Sequence, residues 1–213
     1  MISIDAEDRD SSCEWLVRTL GVQAGALEKL ELLIANLATE NERQNLVANG
    51  TLPFSWSRHI VDSLQLLAHV PRQTSRTWLD LGTGAGFPGL ACAVVSQTVQ
   101  FTLVEQRPLR TQWLQRQVDA LELANVDVKT VNIAALPIAP FDVISARAFA
   151  PLSRLLKLSA AFSTPATQWV LPKGRSATQE LNELKGWRHT FHVEQSVTDP
   201  QSGIITGKLL GRS

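Results

Sequence analysis

Apolar positions in the first third of the chain recur at intervals of three and four: Leu27, Leu30, Leu33, Ile34 and Leu37, then Ile60, Leu64 and Leu67 after Pro53. Such spacing lays an apolar stripe along a helix and predicts a small helical cap over residues 1–70. From Pro71 onward, short apolar runs alternate with helical periods. Strands are predicted at 77–81, 101–105, 126–131, 142–146, 168–171, 190–197 and 204–210, with helices at 89–95, 109–121, 151–162 and 177–184. This alternation implies an α/β domain over 71–213, a seven-stranded, mostly parallel sheet covered on both faces. No full helix separates the last two strands, so an antiparallel hairpin is expected at one edge. No internal repeat or low-complexity tract interrupts the pattern.

The most informative stretch is Asp80-Leu81-Gly82-Thr83-Gly84-Ala85-Gly86-Phe87-Pro88-Gly89, where an apolar strand runs into a glycine turn and then a helix. Glycines there permit positive φ and let a ligand approach the backbone N–H groups closely. Pro88 suits the first helical position, where a missing N–H costs nothing. Gly84, Gly86 and Gly89 also satisfy G-x-G-x-x-G, the dinucleotide fingerprint. Asp80 at the strand end and Glu105 at the end of the next strand are candidate cofactor carboxylates, Glu105 being placed to accept ribose hydroxyls. These features name a ribose-bearing cofactor and tilt toward S-adenosylmethionine. A nicotinamide-dependent oxidoreductase shares the spacing, although no His, Tyr or Lys arrangement for hydride chemistry accompanies it.

Composition narrows the field. A chain of 213 residues supports one good-sized domain with an appendage. Its two cysteines, Cys13 and Cys92, have neither disulfide-framework nor zinc-site spacing, which fits a reducing compartment and no metal. The acidic start and the lack of an apolar run of about 18 residues point to a cytoplasmic protein with no membrane partner. Net charge is zero, but residues 1–70 carry 5 Lys/Arg against 10 Asp/Glu, leaving the excess of cations to the part with the glycine turn. A nucleic-acid partner would therefore be held by local contacts rather than by a large positive field.

Ligands of such sheets bind beyond the carboxyl ends of the strands. Two further strand ends carry chemistry: Ser145-Ala146-Arg147, whose guanidinium can hold a carboxylate or reach a base, and Pro172-Lys173-Gly174, a tight turn expected to project its ammonium above the sheet. His59 shares a helical face with Asp62 and Ser63, which allows an Asp-oriented imidazole, a phosphate contact or a packed helix histidine. Arg58, Arg107, Arg110, Arg116, Arg147, Lys173 and Arg175 are the candidates for RNA contact, while Phe87 and Phe149 are candidates for stacking on a base.

Taken in order, Arg58-His59-Ile60-Val61-Asp62-Ser63, the glycine segment, Phe141-Asp142-Val143-Ile144-Ser145-Ala146-Arg147-Ala148-Phe149-Ala150 and Pro172-Lys173-Gly174 resemble the bacterial ribosomal RNA small subunit methyltransferase G family, also known as glucose-inhibited division protein B. The resemblance runs from about Asn45 to Gly174. It implies a Rossmann-like S-adenosylmethionine-dependent methyltransferase fold with an N-terminal helical cap, acting on N7 of a guanine in 16S rRNA or a small-subunit precursor, as a monomer. Carried over residue by residue, it implies that Gly82, Gly84, Gly86 and Phe87 hold the methionine end of the cofactor, that Glu105 faces the ribose, and that Ile133-Ala134 lie by the adenine. Arg147 then lines the pocket, with Arg147 and Lys173 as the catalytic candidates and Arg58, His59 and Lys173 facing RNA. Two family features are missing: Trp-Asn does not precede Asn45-Leu46-Val47, and no arginine stands around Ser202-Gly203-Ile204. A non-catalytic assembly factor that binds the cofactor for shape is the other reading.

The chemistry agrees with a ring nitrogen as acceptor. Guanine N7 carries an exposed lone pair, so methylation needs alignment and electrostatic help rather than a base. The chain has no tyrosine, lacks an Asp-Pro-Pro-Tyr-type motif for exocyclic amines, and places neither cysteine after the fourth strand, where a carbon nucleophile would stand.

Overall fold

Thr77–Leu81 forms β1, and every residue of it except the first is buried, as expected of a strand covered on both faces. The computed structural model describes residues 4–71 and 74–213. Successive β1 side chains enter opposite cores: Trp78 packs with the cap-side cluster and Leu79 with the cluster on the other face. The following strands are β2 (Gln100–Glu105), β3 (Val126–Thr130), β4 (Val143–Ser145) and β5 (Gln168–Gly174), then β6 (Trp187–His189), β7 (His192–Gln195), β8 (Gly203–Gly207) and β9 (Leu209–Arg212). Seven of them make one sheet in the order β3-β2-β1-β4-β5-β8-β7. The first five are parallel, while β8 runs antiparallel to both β5 and β7.

The edge hairpin is present as β7 and β8, but the expected 204–210 strand is divided into β8 and β9, and β6 precedes the 190–197 strand. β6 and β9 leave the main sheet and pair with each other. Gly207, at φ +135°, makes the break, because a Cβ there would lie 2.7 Å from the Thr190 carbonyl oxygen. Lys208 N–H and carbonyl then bond back to Thr190, which fixes the bend.

On the cap side, α1 (Ala6–Trp15) continues as a π-helical turn over Leu16–Leu20, and α2 (Ala24–Gln44) buries Leu30, Leu33, Ile34 and Leu37 as the periodicity requires. α1 has no apolar period; its start is fixed by Asp5, whose carboxylate accepts the Asp8 N–H at 2.8 Å. The second apolar series is not one regular helix. Trp56–Val61 is π-helical, α3 (Asp62–Leu64) follows, and Gln65–His69 is a 3₁₀ turn. Of the remaining helices, α4 (Gly89–Val95) and α5 (Pro108–Ala120) join the cap-side core, while α6 (Leu152–Ser159) and α7 (Ala177–Asn182) cover the opposite face. Among the described residues, no helix is long and apolar enough to cross a membrane.

α2 is also tied to α5 by polar contacts. Asn36 donates to Gln117 at 2.8 Å, and Arg116 pairs with Glu40 at 2.9 Å. Arg116, half exposed, thus carries an ion pair to the cap. Pro88 stands one position earlier than expected, capping α4 instead of opening it.

Gly89 is the most crowded of the described glycines. A Cβ added there would lie 2.4 Å from Leu103 Cδ2 and 2.7 Å from Asp80 Oδ2, neither of which has room to move. Gly89→Ala is expected to destabilise the protein by about 1–3 kcal/mol through overpacking, measured as a shift in the denaturant midpoint; an unchanged midpoint would show that β2 and α4 can separate without cost.

Candidate functional site

The glycine turn is held from below by a buried carboxylate. Asp80, with no exposed surface, accepts the Ser145 hydroxyl at 2.6 Å and the Gly89 N–H at 3.0 Å. Ser145 faces Asp80 across the β1–β4 register and itself accepts the Trp78 indole N–H at 2.8 Å. Burial pushes the Asp80 carboxyl up from its ordinary pKa, and the Ser145 and Gly89 bonds pull it back. Asp80 was a candidate cofactor ligand; its oxygens are used instead to lock the turn, and it lines neither cavity described below.

Above the turn, Gly82 adopts φ +66° and donates to Val104 O at 2.8 Å. It opens onto a cavity of about 350 Å³ whose wall includes Val104, Glu105, Val131 and Ile133. Glu105, 6% exposed, accepts the Arg107 N–H at 3.0 Å through Oε1, and Oε2 stands 3.8 Å from Arg110. One carboxylate oxygen thus keeps capacity for hydroxyl donors. Gly84 and Gly86 turn the chain without lining the cavity: the Arg110 guanidinium covers Gly84, and Leu90 and Leu114 pack on Gly86.

Of the pair expected near an adenine, Ile133 lines this cavity and Ala134 does not. The Ala134 N–H is already taken by the Asn132 side chain at 3.0 Å, which caps the short 3₁₀ turn Ile133–Ala135. Asn132 and Gln106, which meet at 3.1 Å, are lining residues that the sequence reading missed. Only their position after strand ends could have marked them.

A second cavity of about 640 Å³ adjoins the first and brings together Arg58, His59, Asp62, Arg147 and Lys173 from three separate stretches of chain. Arg147 lies 5.3 Å above the Phe87 ring, and its Nη1 is 3.4 Å from both Asp62 Oδ2 and the Arg58 carbonyl. The His59 ring also stacks on Phe87, at 5.2 Å. Phe87 itself is buried, 2% exposed, against both side chains. Asp62 partners Arg147 rather than His59, because the π-helical turn around His59 is wider than the α-helix that would align them.

His59 is neutral and donates through Nε2. The Thr51 hydroxyl donates to Ala48 O at 2.7 Å, so it must accept from His59 Nε2–H at 2.9 Å, leaving the Nδ1 lone pair buried without a partner. Burial, reinforced by the Arg147 and Arg58 charges, pushes the imidazole pKa down to about 3.

Lys173 does not project freely above the sheet. The β5–β8 register shifts between Pro172 and Gly174, and at this bulge the ammonium turns inward, 8% exposed, to the Ala150 carbonyl at 2.5 Å and Glu180 at 3.0 Å. Arg58 is half exposed, 3.9 Å from Asp199, and Phe149 packs its ring directly on Gly82, where a Cβ would meet Phe149 Cδ2 at 2.5 Å. Among the described residues, no cluster of His, Cys, Asp and Glu could hold a metal ion.

The family described as rRNA small subunit methyltransferase G matches residues 26–201. The ribosomal RNA small subunit methyltransferase G of Novosphingobium aromaticivorans is 57% identical over 199 residues, which cover 92% of this chain and 86% of that protein. The protein of the same name from Erythrobacter litoralis is 53% identical, with 87% and 89% covered. Among solved structures, the mitomycin 7-O-methyltransferase MmcR shares 14% identity at a TM-score of 0.60, covering 90% of this chain and 69% of that one. A mutant of MtNAS in complex with S-adenosylmethionine shares 17% at 0.56, covering 94% and 83%. At these identities the structures attest the fold alone.

The depressed His59 pKa has a signed consequence. Between pH 6.5 and about 3 the unfolded chain binds a proton at this position that the folded chain does not, so stability falls as the pH is lowered through that window. Going from pH 7 to pH 5, the wild type is expected to lose more stability than His59→Leu, by up to about 1.4 kcal/mol per pH unit below 6.5; parallel losses would mean that the imidazole charges inside the fold.

Proposed function

Because this chain belongs to the rRNA small subunit methyltransferase G family, we propose that it transfers a methyl group from S-adenosylmethionine to N7 of a guanine in 16S rRNA, either free or in a small-subunit precursor, acting as a cytoplasmic monomer. Family membership sets aside the nicotinamide reading of the glycine spacing. The observation that carries the proposal is a buried carboxylate, Glu105, beside the Gly82 backbone in one cavity, with a second cavity that holds Arg58, Arg147 and Lys173 directly adjoining it.

The first cavity suits the cofactor by the chemistry of its wall. Glu105 offers an acceptor to vicinal ribose hydroxyls, Val104, Val131 and Ile133 offer an apolar face to a purine, and Gly82 leaves the backbone bare. S-adenosylmethionine bound there supplies a methyl group whose bond to the sulfonium sulfur breaks with the electron pair left on sulfur. Gly84 and Gly86 support the methionine end indirectly, by shaping the turn that carries Gly82.

The chain's own task is alignment. Guanine N7 gives up no proton, so no residue has to act as a base, and the rate gain comes from holding donor and acceptor in line. Arg147, fixed by Asp62 and the Phe87 face, is the donor we assign to the base's O6. His59 donates its Nε2–H to Thr51 and, stacked on the Phe87 ring, keeps that ring in place under Arg147. Arg58, on the cavity rim, meets the RNA backbone.

Two measurements test this. Mass mapping of rRNA from cells with and without the gene should show one N7-methylguanine that depends on it, restored by the purified protein and S-adenosylmethionine. Glu105→Ala should weaken S-adenosylhomocysteine binding by roughly tenfold or more while leaving the fold intact. No missing methyl, or cofactor affinity indifferent to Glu105, would overturn the proposal.

A further inference from the structure

The two cavities share three lining residues, Ala148, Phe149 and Ala150, which form the partition between them. This segment is not relaxed. Ala148 stands at φ +51°, a conformation that a non-glycine residue keeps only when its surroundings impose it. What imposes it lies on the next strand end and helix. Lys173 Nζ donates to the Ala150 carbonyl at 2.5 Å, and Glu180 Oε2 accepts the Leu152 N–H at 2.6 Å. The two side chains meet at 3.0 Å, and the Ser176 hydroxyl holds Glu180 Oε1 at 2.7 Å. An exposed ion pair would contribute little, but Lys173 is 8% and Glu180 19% exposed, and each also grips the backbone on one side of Pro151. Burial alone would raise the Glu180 pKa, yet the bonds from Ser176, Lys173 and Leu152 hold it below the usual carboxylate range.

We infer that Lys173 and Glu180 are positioning residues for methyl transfer: together they clamp the Ala148–Ala150 partition so that Phe149 sets the passage between the cofactor cavity and the base cavity. The inference rests on the functional reading above and assigns Lys173 a role exerted through the backbone rather than on the reacting atoms. It adds Glu180, which no motif in the sequence marks.

The test uses the full-length protein, S-adenosylhomocysteine calorimetry, and turnover on small-subunit particles from cells lacking the gene. Glu180→Ala should lower kcat by about tenfold to a hundredfold, as expected when reacting groups are misaligned. The KM for the particle and the affinity for S-adenosylhomocysteine should stay within about twofold. Glu180→Gln, which keeps an acceptor for Leu152 N–H, should recover part of the loss and also covers the case in which Glu180→Ala folds poorly. In a Phe149→Ala background, Glu180→Ala should cost little more, because the positioned ring is already gone. Exchanging the charges, K173E with E180K, should not rescue turnover: the pair is restored, but a carboxylate cannot donate to Ala150 O and an ammonium cannot accept from Leu152 N–H.

Wild-type kcat in Glu180→Ala and Glu180→Gln, losses that add to those of Phe149→Ala, or rescue by the charge exchange would each overturn the clamp. An inactive wild type would end the functional reading and this role with it. An active wild type with an indifferent Glu180→Ala would end this role alone.

Discussion

One carboxylate without access to water organises the carboxyl-terminal edge of the sheet. Asp80 belongs to β1, receives the hydroxyl of Ser145 from β4, and receives the Gly89 N–H from the start of α4. A buried carboxylate is costly unless its oxygens are hydrogen-bonded, so the fold is stable only when all three elements are in register. Gly89 must lack a side chain for its N–H to come this close, and the glycine turn between Asp80 and Gly89 is thereby bent to one shape. Gly82, the cavity it floors, and the Ser145-Ala146-Arg147 strand end all inherit their positions from this contact.

From that edge the molecule builds two neighbouring spaces. The first is lined by apolar strand ends, bare backbone, Glu105 and the side chains of Arg107, Arg110 and Arg154; the second holds Arg58, Arg147 and Lys173 together with Asp62, Glu180 and Asp199. The cap supplies Thr51, Arg58, His59 and Asp62 to the second space alone. Its role at the site is to hold Arg147, whose charge is flanked by the Asp62 carboxylate and the Phe87 face in a place where burial would otherwise disfavour it. Keeping His59 neutral beside two guanidinium groups avoids a third positive charge in the same small volume.

Much of this was legible in the sequence where the cause is local. β1, the glycine turn and α4 follow from residue types within a dozen positions, and the α2 stripe from simple periodicity. Glu105 and Arg147 could be singled out because strand ends are where such sheets bind ligands. The partners were not legible, since Asp62 lies 85 residues from Arg147, and Glu180 reaches a backbone N–H 28 residues away. Lys173 was misread because a one-residue bulge turned its side chain inward, and Asp80 because spacing alone does not distinguish a carboxylate facing a ligand from one facing its own loop. α1 was missed for want of an apolar period, and the divided hairpin depends on the approach of Gly207 to Thr190 in space.

The account's central claim is that the space beside Glu105 and Gly82 receives the cofactor while the space beside Arg147 is left for the base. A crystal structure of the complex with S-adenosylhomocysteine tests it most directly. The account predicts ribose hydroxyls within hydrogen-bonding distance of Glu105 and a homocysteine end directed toward the Phe149 partition. The nucleoside lodged among Arg58, Arg147 and Asp199, or bound at the surface with the Glu105 space filled only by water, would contradict it.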